Sequence, residues 1–259
     1  MSDLAVAALF VLAVWWASTG VVLKLVWLDR RTFRSSVAAL GALAVASLGG
    51  IVWSCRLETT RAAYVAFGCA LAVWAFHELT FLLGMVTGPR TLPCPPEARG
   101  WRRFVLATQV VIHHEIALAV TLVAVVALTW KQPNQVATQT FLVLWVMRLS
   151  AKLNVFLGVR NLTEQFVPDH LRYLIGYFRR ARLNPLMPIS VIAGSLVALR
   201  LVGSALAEDA SPFGVASRAL VATLLGLAVL EHIFLAIPLP DALLWRWAIR
   251  TKRAEAQAQ

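Results

Sequence analysis

The chain of 259 residues is 59% hydrophobic and only 14% charged, with a net charge of +11. A soluble domain carries about a quarter charged residues, so the composition argues against a water-soluble fold and for the bilayer as solvent. The basic excess is spread over many short segments with no folded module to carry it. Membrane topology and anionic lipid therefore account for it, and no nucleic-acid partner is expected.

In chain order, apolar runs predict spans at 4–27, 36–54, 62–86, 104–129, 137–158, 186–206 and 214–238, each near the roughly 20 residues a bilayer requires. The first run lacks a basic leader and a clear cleavage site and is too long for a signal-peptide core, so it reads as a retained span. Together the runs predict an all-α, polytopic integral membrane bundle of seven transmembrane helices, forming a single domain over 1–259 with no internal repeat. The longest connection, 159–185, reads as one amphipathic segment on the membrane surface. Trp27, Trp53, Trp101, Trp130, Trp245 and Trp247 fall near span ends, where interfacial anchors belong. Cys55, Cys69 and Cys94 fall at the outer edge, in the interior and on the cytoplasmic side, and are expected to be free thiols.

Short loops rich in Lys and Arg stay in the cytoplasm. The segments after spans one, three and five and the C-terminal tail hold most of the basic residues, among them Arg30, Arg31, Arg90, Arg102, Arg103, Arg160, Arg179, Arg180, Arg246 and Arg250. The opposite side holds Arg56, Arg61, Lys131, Arg200 and Arg218. This asymmetry predicts the N-terminus outside and the C-terminus inside, in an inner membrane.

Punctuation between spans has structural readings. Thr87-Gly88-Pro89-Arg90 is a helix stop and turn, and Asn184-Pro185-Leu186-Met187-Pro188 re-enters the membrane where proline is tolerated. Trp15-Trp16 and Ser18-Thr19-Gly20 pack against neighbouring helices or line a groove for pigment or lipid.

An ionisable side chain inside a bilayer costs about 2.5 to 3.5 kcal/mol on insertion scales, so such residues are the best functional signal in the chain. Three glutamates fall within spans, and each adjoins a histidine: His77-Glu78, His113-His114-Glu115 and Glu231-His232. With five histidines in 259 residues, a given glutamate has a histidine neighbour by chance about 4% of the time. The threefold pairing therefore needs a physical cause. Counted at 1.5 Å per residue, the three pairs lie at depths of roughly 15, 15 and 9 Å from the cytoplasmic end. The segment NLTEQFVPDHLRYL adds Asn161, Glu164, Asp169 and His170, with Pro168 setting a turn that could return His170 to the mouth of the site. Span five contributes Arg148, Lys152 and Asn154, and Arg148 is deep enough to need a partner such as Glu115 or Glu231.

Four readings fit this pattern. The first is a non-haem metal centre, iron before manganese or zinc, with His77, His113 or His114, His170 and His232 as nitrogen ligands and Glu78, Glu115, Glu164 and Glu231 as oxygen ligands. In that reading Arg148, Asn154, Asn161 and Asp169 orient the ligands or balance charge. The second is axial ligation of haem or bacteriochlorophyll by histidine. The third is a proton or ion pathway, and the fourth is a polar network that only fixes helix packing. Neither a Glu-x-x-His pair within a span nor an HExxH motif occurs, so a metal centre would need a new arrangement.

The segments WWASTG, FHELTFLLGMVTGPR, GWRRF followed by HHEIAL, NVFLGVRNLTEQFVPDHLRYL, NPLMPIS and EHIF resemble the PuhE family, photosynthetic complex assembly protein 2 of purple phototrophic bacteria, over nearly the whole chain. The resemblance implies a gene among photosynthesis genes near that of the reaction-centre H subunit. It also implies a place in the cytoplasmic or intracytoplasmic photosynthetic membrane, and a role in assembly or maturation of the reaction centre and core antenna. Expected partners are membrane lipid, reaction-centre or core-antenna subunits and bacteriochlorophyll. The resemblance carries over no catalytic residues, although its motifs coincide with His77, Glu78, His113, His114, Glu115, Asn154, Glu164, His170, Glu231 and His232. The alternative expectation is an integral-membrane non-haem metal oxygenase or hydroxylase, with one or two irons, acting on a pigment, quinone or lipid.

Overall fold

The protein, analysed as a computed structural model, is described over residues 3–162, 164, 167–237 and 247. Eight α-helices follow one another along the described chain: α1 Asp3–Val26, α2 Phe33–Ser54, α3 Thr60–Leu82, α4 Gly100–Gln109, α5 Ile112–Leu128, α6 Val136–Leu157, α7 Leu186–Ala205 and α8 Pro212–Ala236. No β-strand is present among the described residues, where only an isolated bridge joins Val159 to Arg180. Long runs of Ala, Leu and Val favour these helices, and short polar residues start several of them. Thr59 Oγ1 accepts from the Ala62 amide at α3, and Ser211 Oγ accepts from the Gly214 amide at α8, where Pro212 occupies the first turn. At α7 the Asn184 carboxamide oxygen accepts from the amides of Leu186 and Met187.

Six helices (α1, α2, α3, α6, α7 and α8) are long and apolar enough to cross a membrane, and the α4–α5 pair, taken as one span, would make a seventh. The sequence predicts one straight helix over 104–129, but the structure bends it by 66° between α4 and α5. The cause is the preceding turn. Gly88 packs directly on the backbone of Gln109 and Val110, and the Thr87 carbonyl accepts from the His114 amide at 3.1 Å. An external acceptor thus replaces the helix's own carbonyl. The 17 residues of α5 span about 25 Å, short of the roughly 30 Å hydrocarbon core. The ten residues of α4 carry exposed Trp101, Arg102 and Val105 in an amphipathic pattern suited to an interface.

Two other boundaries move as well. α3 stops at Leu82 rather than 86, where Gly84 adopts a φ of +76°. The segment predicted as one amphipathic element over 159–185 folds instead as a parallel bridge and a 3-10 run, Asp169–Tyr177, packed onto the ends of the bundle. Its Leu171, Leu174 and Tyr177 are buried against Val110, Phe81 and Cys94. Arg103 donates from α4 to the carbonyls of Phe156 at 3.1 Å and Tyr177 at 2.6 Å, tying this segment to α4 and α6.

The largest buried cluster joins Phe67, Trp74, Leu118, Phe141, Leu220 and Leu224 and centres on α3 and α8. α7 presents Ile189, Ile192, Leu196 and Leu199 outward, a face suited to lipid. Trp53, Trp101 and Trp130 lie exposed at helix ends. Trp245 and the basic residues Arg246 and Arg250, with the end of the seventh predicted span, lie outside the described residues. All three cysteines are free thiols.

Candidate functional site

The polar residues gather at one end of the bundle, where α3, α6 and α8 finish and α5 begins. With α3 ending at Leu82, Glu78 lies four residues from the helix end, about 6 Å rather than the greater depth a longer span implies. Glu231 is five residues from the end of α8, and Glu115 lies in the first turn of α5, where a carboxylate also favours the helix dipole.

Each of these glutamates finds its main partner in a cation or an indole. Helix α6 supplies both cations from positions one turn apart. Arg148 Nη2 lies 3.4 Å from Glu78 Oε2, and Lys152 Nζ lies 2.5 Å from Glu115 Oε1. Trp145, one turn before Arg148, donates from its indole to Glu115 Oε2 at 3.1 Å. Glu231 faces Arg148 across the bundle, close enough to interact with it electrostatically, and Trp15 of α1 is its hydrogen-bond partner. The sequence suggests Glu115 or Glu231 as the partner of Arg148, and the structure gives Glu78 first and Glu231 second.

The histidines divide among separate tasks. His114 is fully buried against Phe81, and its Nε2 lies 4.0 Å from Glu78 Oε1, too far for a hydrogen bond. Neither His114 ring nitrogen nor Glu78 Oε1 has a hydrogen-bond partner among the described residues. His77 Nε2 pairs with Thr121 Oγ1 of α5 at 2.9 Å. His232 Nδ1 donates to the Ala228 carbonyl at 2.8 Å, which leaves Nε2 of a neutral ring to accept from Ser150 Oγ at 3.0 Å. Ser150 Oγ also meets Ser190 Oγ of α7 at 2.8 Å, and Asn154 Nδ2 reaches Ser190 Oγ at 3.3 Å. His113 is exposed.

The connection after α6 places its polar residues on helix ends. His170 Nε2 donates to the Leu82 carbonyl of α3 at 2.9 Å, and Asn161 Nδ2 donates to the Phe234 carbonyl of α8 at 3.1 Å. Asn184 Nδ2 donates to the Gly158 carbonyl at the end of α6 at 2.8 Å. Three orphan helix ends are thereby satisfied by one segment. Glu164 pairs with Arg180 and Asp169 with Arg172, both at 3.1 Å. The structure therefore brings Glu78, His114 and Arg148 together and leaves His113, Glu164, Asp169 and His170 apart from them.

Among the described residues, no three His, Cys, Asp or Glu side chains converge closely enough to hold a metal ion. Glu78 and His114 offer two donors, fewer than the three or four protein ligands usual for a catalytic or structural centre.

Beside the charges lies a cavity of about 320 Å³ walled by α1, α3, α6 and α8. Leu71, Trp74, Met147, Leu224, Leu227 and Phe234 make most of its surface apolar, and Ser18, Thr19, Glu78, Arg148 and Glu231 add polar groups to the lining. Arg148 belongs to a membrane-spanning helix, yet 45% of its side-chain surface is open. Arg148 is part of the cavity lining. The sequence leaves Trp15, Ser18 and Thr19 to pack against neighbouring helices or to line a groove, and all three are among the lining residues of the cavity. Sequence reasoning passed over Lys152 as a partner for Glu115, although the i, i+4 spacing from Arg148 puts both cations on neighbouring turns of one face.

An all-helical membrane bundle with a charged cavity in its interior is the class of protein that this fold and site define. The chain belongs to the family described as protein of unknown function (DUF3623), which it matches over residues 1–256. It is 38% identical over 250 residues to a Rhodobacter capsulatus protein described as an uncharacterized 30.4 kDa protein in the puhA 5' region, a match covering 93% of this chain and 89% of the relative. No solved structure matches it.

Proposed function

We propose that this protein is a membrane factor for assembly or maturation of the photosynthetic reaction centre and its core antenna, acting through the cavity bounded by Glu78, Arg148 and Glu231. The observation that carries the reading is the partly open side chain of Arg148 in the lining of a largely apolar cavity within the helical bundle. A cation kept in a bilayer-spanning helix, neutralised by carboxylates yet still accessible, costs more than packing alone requires. It gives the cavity a polar group that can orient one end of an apolar molecule. The process comes from kinship. The relative's name puts its gene in the puhA 5' region, and the resemblance to the PuhE family implies the neighbourhood of the reaction-centre H subunit.

In this account the bundle receives a membrane-soluble component of the photosynthetic complex, holds its apolar body against Trp74, Leu227 and Phe234, and fixes its polar end at Arg148. Reaction-centre or core-antenna subunits are the partners to which that component passes. The alternative, a non-haem metal oxygenase or hydroxylase, has less support, because among the described residues no three His, Cys, Asp or Glu side chains converge closely enough to hold a metal ion. The test is genetic complementation. A Rhodobacter capsulatus strain lacking its relative of this protein should lose reaction-centre and core-antenna absorbance, and this chain should restore it. Full absorbance in the deletion strain would sink the proposal.

A further inference from the structure

The cavity's charges restrict what it can hold. Glu78, Arg148 and Glu231 all line the cavity, so an anionic head group entering it meets two carboxylates and a cationic one meets the guanidinium. A neutral head group avoids both penalties. Of the five N–H donors on the guanidinium, only Nη2 has a hydrogen-bond partner among the described residues, at 3.4 Å, which leaves donors for an incoming acceptor. Ser18 and Thr19 of α1 add hydroxyls to the lining.

Size and lining narrow the choice further. Ligand pockets run from about 300 to 1,000 Å³, and this one, at about 320 Å³, stands at the lower limit. A single ring with the start of a tail suits that volume far better than a macrocycle of four pyrrole-type rings. Trp15, Trp74 and Phe234 offer aromatic surface for a flat head, and the leucines and Met147 suit a hydrocarbon tail. No histidine is among the lining residues, so the cavity presents no imidazole for axial ligation of a chlorin magnesium or a haem iron.

We infer that the cavity is a binding site for a neutral, tail-bearing cyclic carbonyl compound of the quinone class, with a ring carbonyl accepting hydrogen bonds from Arg148. The inference rests on the proposed function only for the identity of the cavity, and it names the ligand class that the cavity takes.

The test uses the purified full-length protein in detergent, with binding read from quenching of tryptophan emission by decylubiquinone. Dodecane serves as a tail without a head, and bacteriochlorophyll as the competing source of a carbonyl-bearing ring. Saturable quenching by decylubiquinone, not displaced by dodecane, is the expected result. Arg148→Lys keeps the charge and loses the fork of donors, and should weaken binding about tenfold or more. Ala151→Phe, one turn along α6 from Arg148, fills the cavity while keeping every charged residue in the chain, and should abolish binding. The inference falls if decylubiquinone does not saturate, if both variants bind as the wild type does, or if bacteriochlorophyll binds and the quinone does not. In each of these cases, failure of Arg148 variants to restore photosynthetic complexes in the cell would leave the proposed function standing with a different ligand.

Discussion

Arg148 and Lys152 occupy successive turns of α6 and face glutamates from two different helices, Glu78 of α3 and Glu115 of α5. One helix thus neutralises the acidic residues of its neighbours, and the bundle end is organised around α6. Burial makes such pairs asymmetric in their energetics. Keeping both members is roughly neutral, whereas removing one strands a charge in a low-dielectric setting.

Lys152→Ala and Glu115→Ala should therefore each lower stability by about 2 kcal/mol or more, with Glu115→Ala also leaving the Trp145 indole unpaired. The double variant Lys152→Ala, Glu115→Ala should lose well under the sum of the two single losses. Thermal unfolding in detergent with a double-mutant cycle measures the coupling, and simple additivity of the two losses would refute the pairing.

The junction of α6, α7 and α8 depends on a smaller network. Ser190 is a polar link from α7 through Ser150 to His232. Interhelical hydrogen bonds in membranes couple by about 0.6 kcal/mol on average and at most about 1.7. Ser190→Ala should accordingly cost about that much and loosen α7, which is seen as faster proteolysis of the connection between α6 and α7. A loss several times larger would show that Ser190 does more than join helices.

Much of this architecture is legible in the sequence, because span length and apolar composition are local properties. The ends of α1, α2, α6 and α7 fall within a few residues of the predicted spans. The bend at Val110 is not legible, since it depends on Gly88 and Thr87 arriving from another loop. The pairing of glutamates with histidines along the chain correctly marks the polar end of the bundle. It misleads about partners, because adjacent residues on a helix point about 100° apart. Glu78 turns to Arg148 while His77 turns to Thr121, and Glu231 turns to Arg148 while His232 turns to Ser150. The cavity itself is a product of four helices and has no sequence signature beyond the small and aromatic residues near Trp15.

Gly88 offers a direct test of the bend. A side chain there meets the backbone of Gln109 and Val110, which cannot rotate away. Gly88→Val should cost about 1 to 3 kcal/mol as an overpacked contact and displace the turn that accepts the His114 amide. Reduced accumulation in the membrane and a lower unfolding temperature are the expected readouts, and a variant as stable as wild type would remove the turn as the cause of the 66° break.

Elemental analysis of the purified protein separates the charge-cluster reading from a metal centre. With no three His, Cys, Asp or Glu side chains converging among the described residues, iron, manganese and zinc should stay well below one equivalent. One or more equivalents, lost in His114→Ala, would show that His114 is part of a larger ligand set and would favour the oxygenase reading.

The central claim is that an accessible Arg148 in the cavity serves photosynthetic complex assembly, and complementation tests it most directly. In the Rhodobacter capsulatus deletion strain, the wild-type chain and an Arg102→Ala variant on exposed α4 should restore reaction-centre and core-antenna absorbance. Arg148→Ala and the cavity-filling Ala151→Phe should not, although immunoblots show the Ala151→Phe protein in the membrane. Full restoration by both Arg148→Ala and Ala151→Phe would contradict the account.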